Sequence, residues 1–183
     1  SPSYLGDRRL RHALNLSLDR QRMIRYLKNG LGQPGNKGFI PIGMPGHRAT
    51  AQPWSHDMDS AKVLLAAALG DRPDTLAPIL LSTTASYRDL CEYVQSAWTQ
   101  LGLTVKVEVL PSATFREAKA EGRLAMYRAS WIADYADPQN YMMLFDSRQW
   151  GPKGPNAAHV NDALLDSYLD QAARMKGPAR LAV

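Results

Sequence analysis

Apolar residues recur at helical spacing near the start of the chain. Leu10, Ala13, Leu14 and Leu18 are followed by Met23, Ile24 and Leu27, which predicts helix over 7–30. Asp7 is the expected N-cap, and Asp19 caps a second start, so a break is expected near 17–19. Gly30 is expected at C′. Residues 30–56 hold Pro34, Pro41, Pro45 and Pro53 and read as one long irregular stretch. Asp57 or Asp59 then caps a helix with Ala61, Leu64, Leu65 and Ala68 inward, stopped by Gly70. Pro78–Leu81 reads as a short buried strand. A longer helix should turn Tyr87, Leu90, Cys91, Val94, Ala97, Trp98 and Leu101 inward and end at Gly102. Leu103, Val105, Val107 and Val109 alternate with polar residues, a period of two that predicts a strand. Ser112 caps a short helix holding Phe115 and Ala118, and a strand is expected at 123–130. Asp137–Phe145 reads as a helix with Pro138 at its first position, 147–157 as loop, and Asn161 as the cap of a last helix. That helix carries Leu164, Leu165, Tyr168, Leu169 and Ala172 on one face. The order helices, then β-α-β-α-β, then helices points to an α/β layer: a mixed sheet of about three or more strands covered by helices.

The 183 residues suffice for a domain with its own core, and 45% of them are apolar, which argues against a disordered chain. No apolar run approaches the ~20 residues of a membrane helix. The single Cys91 rules out a disulfide scaffold and reads as a small core hydrophobe. No basic-then-apolar leader opens the sequence, which leaves a cytosolic protein or a leader carried elsewhere. Charge is uneven. Of 22 basic and 17 acidic residues, seven and two lie in 7–30, leaving fifteen of each elsewhere. That basic segment reads as a solvated helix face, or alternatively as a nucleic-acid surface.

Most chemical motifs fail on context. Gly30-Leu-Gly-Gln-Pro-Gly35 has the G-x-G-x-x-G spacing, but a helix precedes it and prolines follow, where a dinucleotide loop needs a strand and then a helix. His12, His47, His56 and His159 are scattered, so no metal site is expected. No G-x-S-x-G elbow exists, and Cys91 has no neighbouring histidine. Asp134 and Asp137 could be an acid/base pair, but Asp137 before Pro138 reads as a cap. The most informative segment is 127–138. Alternation puts Arg128 on the face of Leu124 and Met126, where a charge needs a partner or a ligand. Trp131 and Tyr135 flank Asp134 at a strand-to-loop exit, where α/β proteins place ligands. An ion pair between Arg128 and Asp134 under an ordinary core tryptophan explains the same residues, and the residues alone leave both readings open.

Trp131-Ile-Ala-Asp134-Tyr-Ala-Asp137-Pro138, with Asn140-Tyr141 and Leu144-Phe145 after it, resembles the W-x-A-D-Y-x-D-P-x-N-F segment of extracytoplasmic solute-binding proteins of family 5. These serve ABC importers of peptides and nickel. Asp7-Arg-Arg-Leu-Arg-His-Ala-Leu-Asn-Leu-Ser-Leu-Asp19-Arg20 resembles the family's D-x-R-V-R-x-A-L-x-x-A-x-D-R helix pair. Asn29-Gly30, Met44-Pro45-Gly46, Ala61-Lys62-x-Leu64-Leu65 and Leu101-Gly-Leu-Thr-Val-Lys-Val follow in the family's order. The resemblance implies the second lobe of a bilobal periplasmic-binding-protein type II fold, with 1–157 as the ligand-binding lobe and 158–183 as a helix returning towards a first lobe. It implies a clamp that closes on di- or oligopeptides and delivers them to membrane permease subunits; nickel complexes and opines are the family's other cargoes. It implies that Asp134 takes the peptide α-ammonium, Trp131 borders a side-chain pocket and Arg128 holds the peptide carboxylate. The backbone of Ser130, Ile132 and Ala133 would pair with the extended peptide, and Tyr135 and Tyr87 would border the site. No cofactor, metal, nucleic acid or bond-making chemistry is implied. The expected form is a monomer outside the cytoplasm, free or lipid-anchored.

Overall fold

The structure is a computed structural model and describes residues 3–47, 54–70, 76–175 and 177. Pro53 and the stretch 178–183, which the sequence reading included in its loop and last segment, lie outside the described residues. The chain divides into two compact units. The first comprises 1–36, 52–115 and 124–128, and the second 37–51, 116–123 and 129–183.

In the first unit α1 (Arg8–Leu16) and α2 (Arg20–Leu27) form where expected, broken at 17–19. Asp7 accepts the Arg9 N–H and Asp19 the Arg22 N–H, each satisfying an amide that a helix start leaves without a partner. The left-handed turn after α2 begins one residue earlier than predicted. Asn29 (φ 50°) takes it before Gly30 (φ 76°). Helix α3 (Met58–Leu69) is capped by Asp57, and Gly70 (φ 62°) ends it.

Strand β1 (Ile79–Thr83) runs two residues beyond its apolar stretch because Ser82 and Thr83 are also buried. Ser82 donates its hydroxyl to Glu108 at 2.8 Å. Helix α4 (Arg88–Gln100) starts after a 3-10 turn at Ala85–Tyr87, so Tyr87 lies ahead of the predicted inward stripe rather than on it. Strand β2 (Val105–Val109) matches its alternation. In α5 (Ser112–Ala120) Ser112 is the first helical residue, not the cap. The strand expected at 123–130 is short: only Met126–Tyr127 (β3) pairs, with Arg128 N–H continuing to Ser82 O at 3.0 Å. The three strands are parallel in the order β2-β1-β3, with Ile79 opposite Val105 and Leu81 opposite Met126. The sheet is therefore parallel throughout, not mixed, because helices α4 and α5 carry the chain back between strands.

The core joins Leu10, Ala13 and Leu14 of α1 to Ala61 and Leu65 of α3, Ile79 and Leu81 of β1, and Cys91 and Trp98 of α4. Burial pushes the Cys91 thiol pKa up, in keeping with a packing role. Trp98 Nε1 donates to Leu14 O at 3.0 Å, and the Tyr93 hydroxyl to Asp19 O at 2.9 Å, so α4 is pinned to the ends of α1 and to the start of α2.

The second unit is organised by buried amides. Asn156, fully buried, donates to Asp146 O and Val160 O and accepts the Val160 N–H. What read as plain loop at 147–157 is thus a 3-10 turn (Ser147–Gln149) and an ordered bend around Asn156. Gly151 is required there, since a Cβ would stand 2.3 Å from Ala120 O. Helix α6 is short (Gln139–Met142), continues as a 3-10 turn to Phe145, and has Pro138 at its N-cap. Helix α7 (Ala163–Arg174) is capped by Asp162, whose carboxylate accepts the N–H groups of both Leu164 and Leu165, and not by Asn161.

The caps make an acid-sensitivity prediction. The hydrogen bonds from Arg9 hold the Asp7 carboxyl at about 2, below its ordinary value of 3.8. A depressed folded-state pKa contributes stability above the ordinary value that is lost as pH falls through it. Melting temperature is expected to drop between about pH 4 and about pH 2, with Asp7→Asn showing a shallower acid slope than wild type. Equal slopes would remove Asp7 as a contributor.

Candidate functional site

In the first unit, strand β1 is central, with β2 on one side and β3 on the other. Because the strands are parallel, β1 and β3 end side by side at the same edge of the sheet. The carboxyl edge of an open parallel sheet is where ligands bind. Tyr87 follows β1 and Arg128 follows β3, and the structure brings them together: the Arg128 guanidinium carbon lies 3.2 Å from the Tyr87 ring centroid. This cation–π contact fixes where the guanidinium lies. Both side chains are half-buried.

In the second unit, the segment 130–135 has no regular hydrogen bonding, and its side chains alternate. Trp131 and Ala133 are half-buried, while Ser130, Ile132, Asp134 and Tyr135 are exposed. Trp131 is fixed by its Nε1–H, which donates to Asn140 Oδ1 at 2.7 Å, and Asn140 is itself buried on α6. The sequence marks Asn140 only by its place two residues after Pro138 and gives no sign of this role. Asp137 caps α6 in effect, accepting the Gln139 N–H at 2.8 Å, although Pro138 occupies the cap position. The candidate acid/base pair is thereby dissolved, because one of its carboxylates is committed to backbone.

The aspartates of the described chain divide by what holds them. Asp7, Asp19, Asp57, Asp137, Asp146 and Asp162 accept backbone N–H groups at turns or helix starts. Asp166 holds Ser147, and Asp170 pairs with Arg148. Asp59, Asp89 and Asp134 are exposed, and no hydrogen bond or ion pair holds them among the described residues. Asp59 and Asp89 lie in the first turns of α3 and α4, where the helix start itself favours a carboxylate, whereas Asp134 lies outside every helix. A family model described as "Bacterial extracellular solute-binding proteins, family 5 Middle" matches residues 2–153. The chain belongs to this family. It is 31% identical over 183 residues to the Probable D,D-dipeptide-binding periplasmic protein DdpA of Escherichia coli K12, covering 96% of this chain and 35% of DdpA. It is 28% identical over 175 residues to the periplasmic murein peptide-binding protein MppA of the same organism, covering 92% of this chain and 32% of MppA. Among solved structures, the periplasmic binding protein DppA of Helicobacter pylori, in complex with peptide STSA, superposes with a TM-score of 0.85 at 22% identity, over 98% of this chain and 35% of that one. This chain thus spans about a third of the length of the curated relatives it matches.

Family 5 membership accounts for the parallel sheet with helices before and after it, since the solved relative has the same fold. The G-x-G-x-x-G spacing is irregular chain after α2, as its context required. Among the described residues no three of His, Cys, Asp and Glu stand together as a metal site, and no helix is long and apolar enough to cross a membrane. The second unit also holds a cavity of about 410 Å³ between α6 and α7, walled by Met142, Met143, Leu165 and Leu169, with Tyr135 at its edge. Leu165, Tyr168, Leu169 and Ala172 of the apolar face read on the last helix therefore line a hollow, while Leu164 is exposed outside it.

Proposed function

We propose that this chain is the ligand-binding lobe, with 158–183 as its return segment, of the substrate-binding component of an ABC importer. It takes short peptides and delivers them to membrane permease subunits, works outside the cytoplasm, free or lipid-anchored, and is monomeric. The observation that carries the reading is Asp134, a carboxylate outside every helix that stands exposed and uncommitted beside Tyr135 and Ile132. A carboxylate kept out of every cap and ion pair suits a cationic ligand group, and a peptide α-ammonium brings a charge and three donors. Trp131, held rigid by Asn140, borders that position, and the irregular backbone of 130–133 offers groups to an extended peptide. Arg128, oriented by Tyr87, takes the peptide carboxylate through paired N–H groups. The peptide ligands named for the relatives support this chemistry. No bond is made or broken in it; the chemistry is capture and release.

Calorimetry of the full-length protein with a set of di- to pentapeptides tests the reading. Binding of opines or nickel complexes with no binding of peptides would overturn it. Arg128 gives a sharper result. Arg128→Ala should weaken free-acid peptides by about 1.5–3 kcal/mol, the value of a hydrogen bond to a charged group, and weaken their C-terminal amides far less. Equal weakening of both forms would assign Arg128 to structure alone.

A further inference from the structure

The basic residues of 7–30 are not used alike by the fold. Arg9 pairs with Asp7 at 2.7 Å, Arg11 donates to the carbonyls of Leu5 and Gly6, and Arg20 is half-buried against Asn15. Arg22, Arg25 and Lys28 take part in none of the ion pairs found among the described residues. Helical periodicity sets Arg22, Arg25 and Tyr26 on the side of α2 opposite the buried Ile24. Tyr26 is 66% exposed and stands 5.7 Å from the Arg22 guanidinium. The turn after α2, closed by Leu31 N–H to Lys28 O at 2.8 Å, leaves Leu31 77% exposed. Arg22, Arg25, Tyr26 and Gly30 line a shallow hollow of about 550 Å³. Asp19 stands at its rim, with its carboxylate turned to the Arg22 N–H as the cap of α2.

We propose that this face of α2 docks on anionic lipid headgroups. The hollow receives a phosphate between Arg22 and Arg25, Lys28 adds a third cation, and Tyr26 and Leu31 rest at the level of the headgroups. Cations mixed with an exposed aromatic and an exposed aliphatic residue are the composition of surfaces that lie on membranes. Nucleic acid would use the cations and the tyrosine but not the leucine. The placement outside the cytoplasm rests on the function proposed above, where an anionic leaflet is the extended polyanion within reach. The docking itself needs no peptide, so its test is independent of peptide binding.

The test is flotation of the full chain with phosphatidylcholine vesicles, with and without about 30 mol% phosphatidylglycerol, at low and high salt. Binding is expected only with the anionic lipid. Each cation should contribute about fivefold at low salt, so joint replacement of Arg22, Arg25 and Lys28 by Gln should lower partitioning about a hundredfold. Tyr26→Ser with Leu31→Ser should spare the salt-sensitive part and lose the remainder that persists at high salt. All five positions are exposed, and thermal melts confirm that the variants fold. Three results would each overturn the proposal: an unchanged triple variant, equal binding to neutral vesicles, or stronger binding to heparin or single-stranded DNA with the Tyr26 and Leu31 substitutions having no effect.

Discussion

Asp134→Asn should abolish most of the affinity of the full-length protein for peptides with a free amino terminus and change little for their N-acetylated forms. When the clamp that the proposed function implies closes on a peptide, a carboxylate and an ammonium are brought together out of water, and each is then costly to leave unmatched. Removing either partner is expected to cost about 3–5 kcal/mol, a factor of about 150 to about 5,000 in Kd. The side chains of Asp and Asn are nearly the same size, so the substitution changes charge with little change in shape. Exposure of Asp134 in this structure, with no cap or ion pair to break, also means that the variant should melt where the wild type does. The four combinations of two proteins and two ligands form a double-mutant cycle, which separates the pair from general damage. Titration calorimetry reads it directly. A change of less than about threefold for the free amine, roughly 0.65 kcal/mol, would show that Asp134 is not the amine anchor.

Trp98→Ala should destabilise the first unit by about 3–5 kcal/mol, the usual cost of deleting a buried aromatic ring. Trp98 is 6% exposed, and its indole N–H holds the last turn of α1 through Leu14 O at 3.0 Å. The alanine variant therefore opens a cavity and also removes one of the two side-chain donors to Leu14 O, leaving it the Ser17 hydroxyl at 3.0 Å. For a chain of this size the melting temperature should fall by about 10 °C. Trp98→Phe keeps most of the ring and loses only the hydrogen bond, so about 1–2 kcal/mol is expected. A calorimetric melt of both variants checks the order, and equal losses would mean that the hydrogen bond rather than the packing carries the effect. Peptide affinity measured well below the melt should be unchanged in Trp98→Phe, since Trp98 lies in the core and not at the site.

The sequence by itself determined the elements whose cause is local. The break between α1 and α2 was legible because Asp7 and Asp19 cap through their own neighbours, and the alternation of Val105, Val107 and Val109 needed only the period of a strand. The segment 127–138 stood out in sequence because a charge on an apolar strand face and a carboxylate between aromatics conflict with simple packing, although the residues alone left a structural ion pair equally open. Tertiary structure alone decided the rest. The strand at 123–130 shrank to Met126–Tyr127 because pairing with β1 ends at Ser82, a limit set by a partner about 45 residues away in the chain. Tyr87 left the helical stripe because the chain turns at the carboxyl end of β1, and there it meets Arg128, which only the sheet order could bring to it. The cap of α7 fell to Asp162 rather than its neighbour Asn161, a one-residue choice that composition does not fix. Asn156 shows the same limit: a buried amide that organises Asp146 and Val160 looks in sequence like any loop asparagine, because its partners are backbone groups that only the folded chain gathers around it.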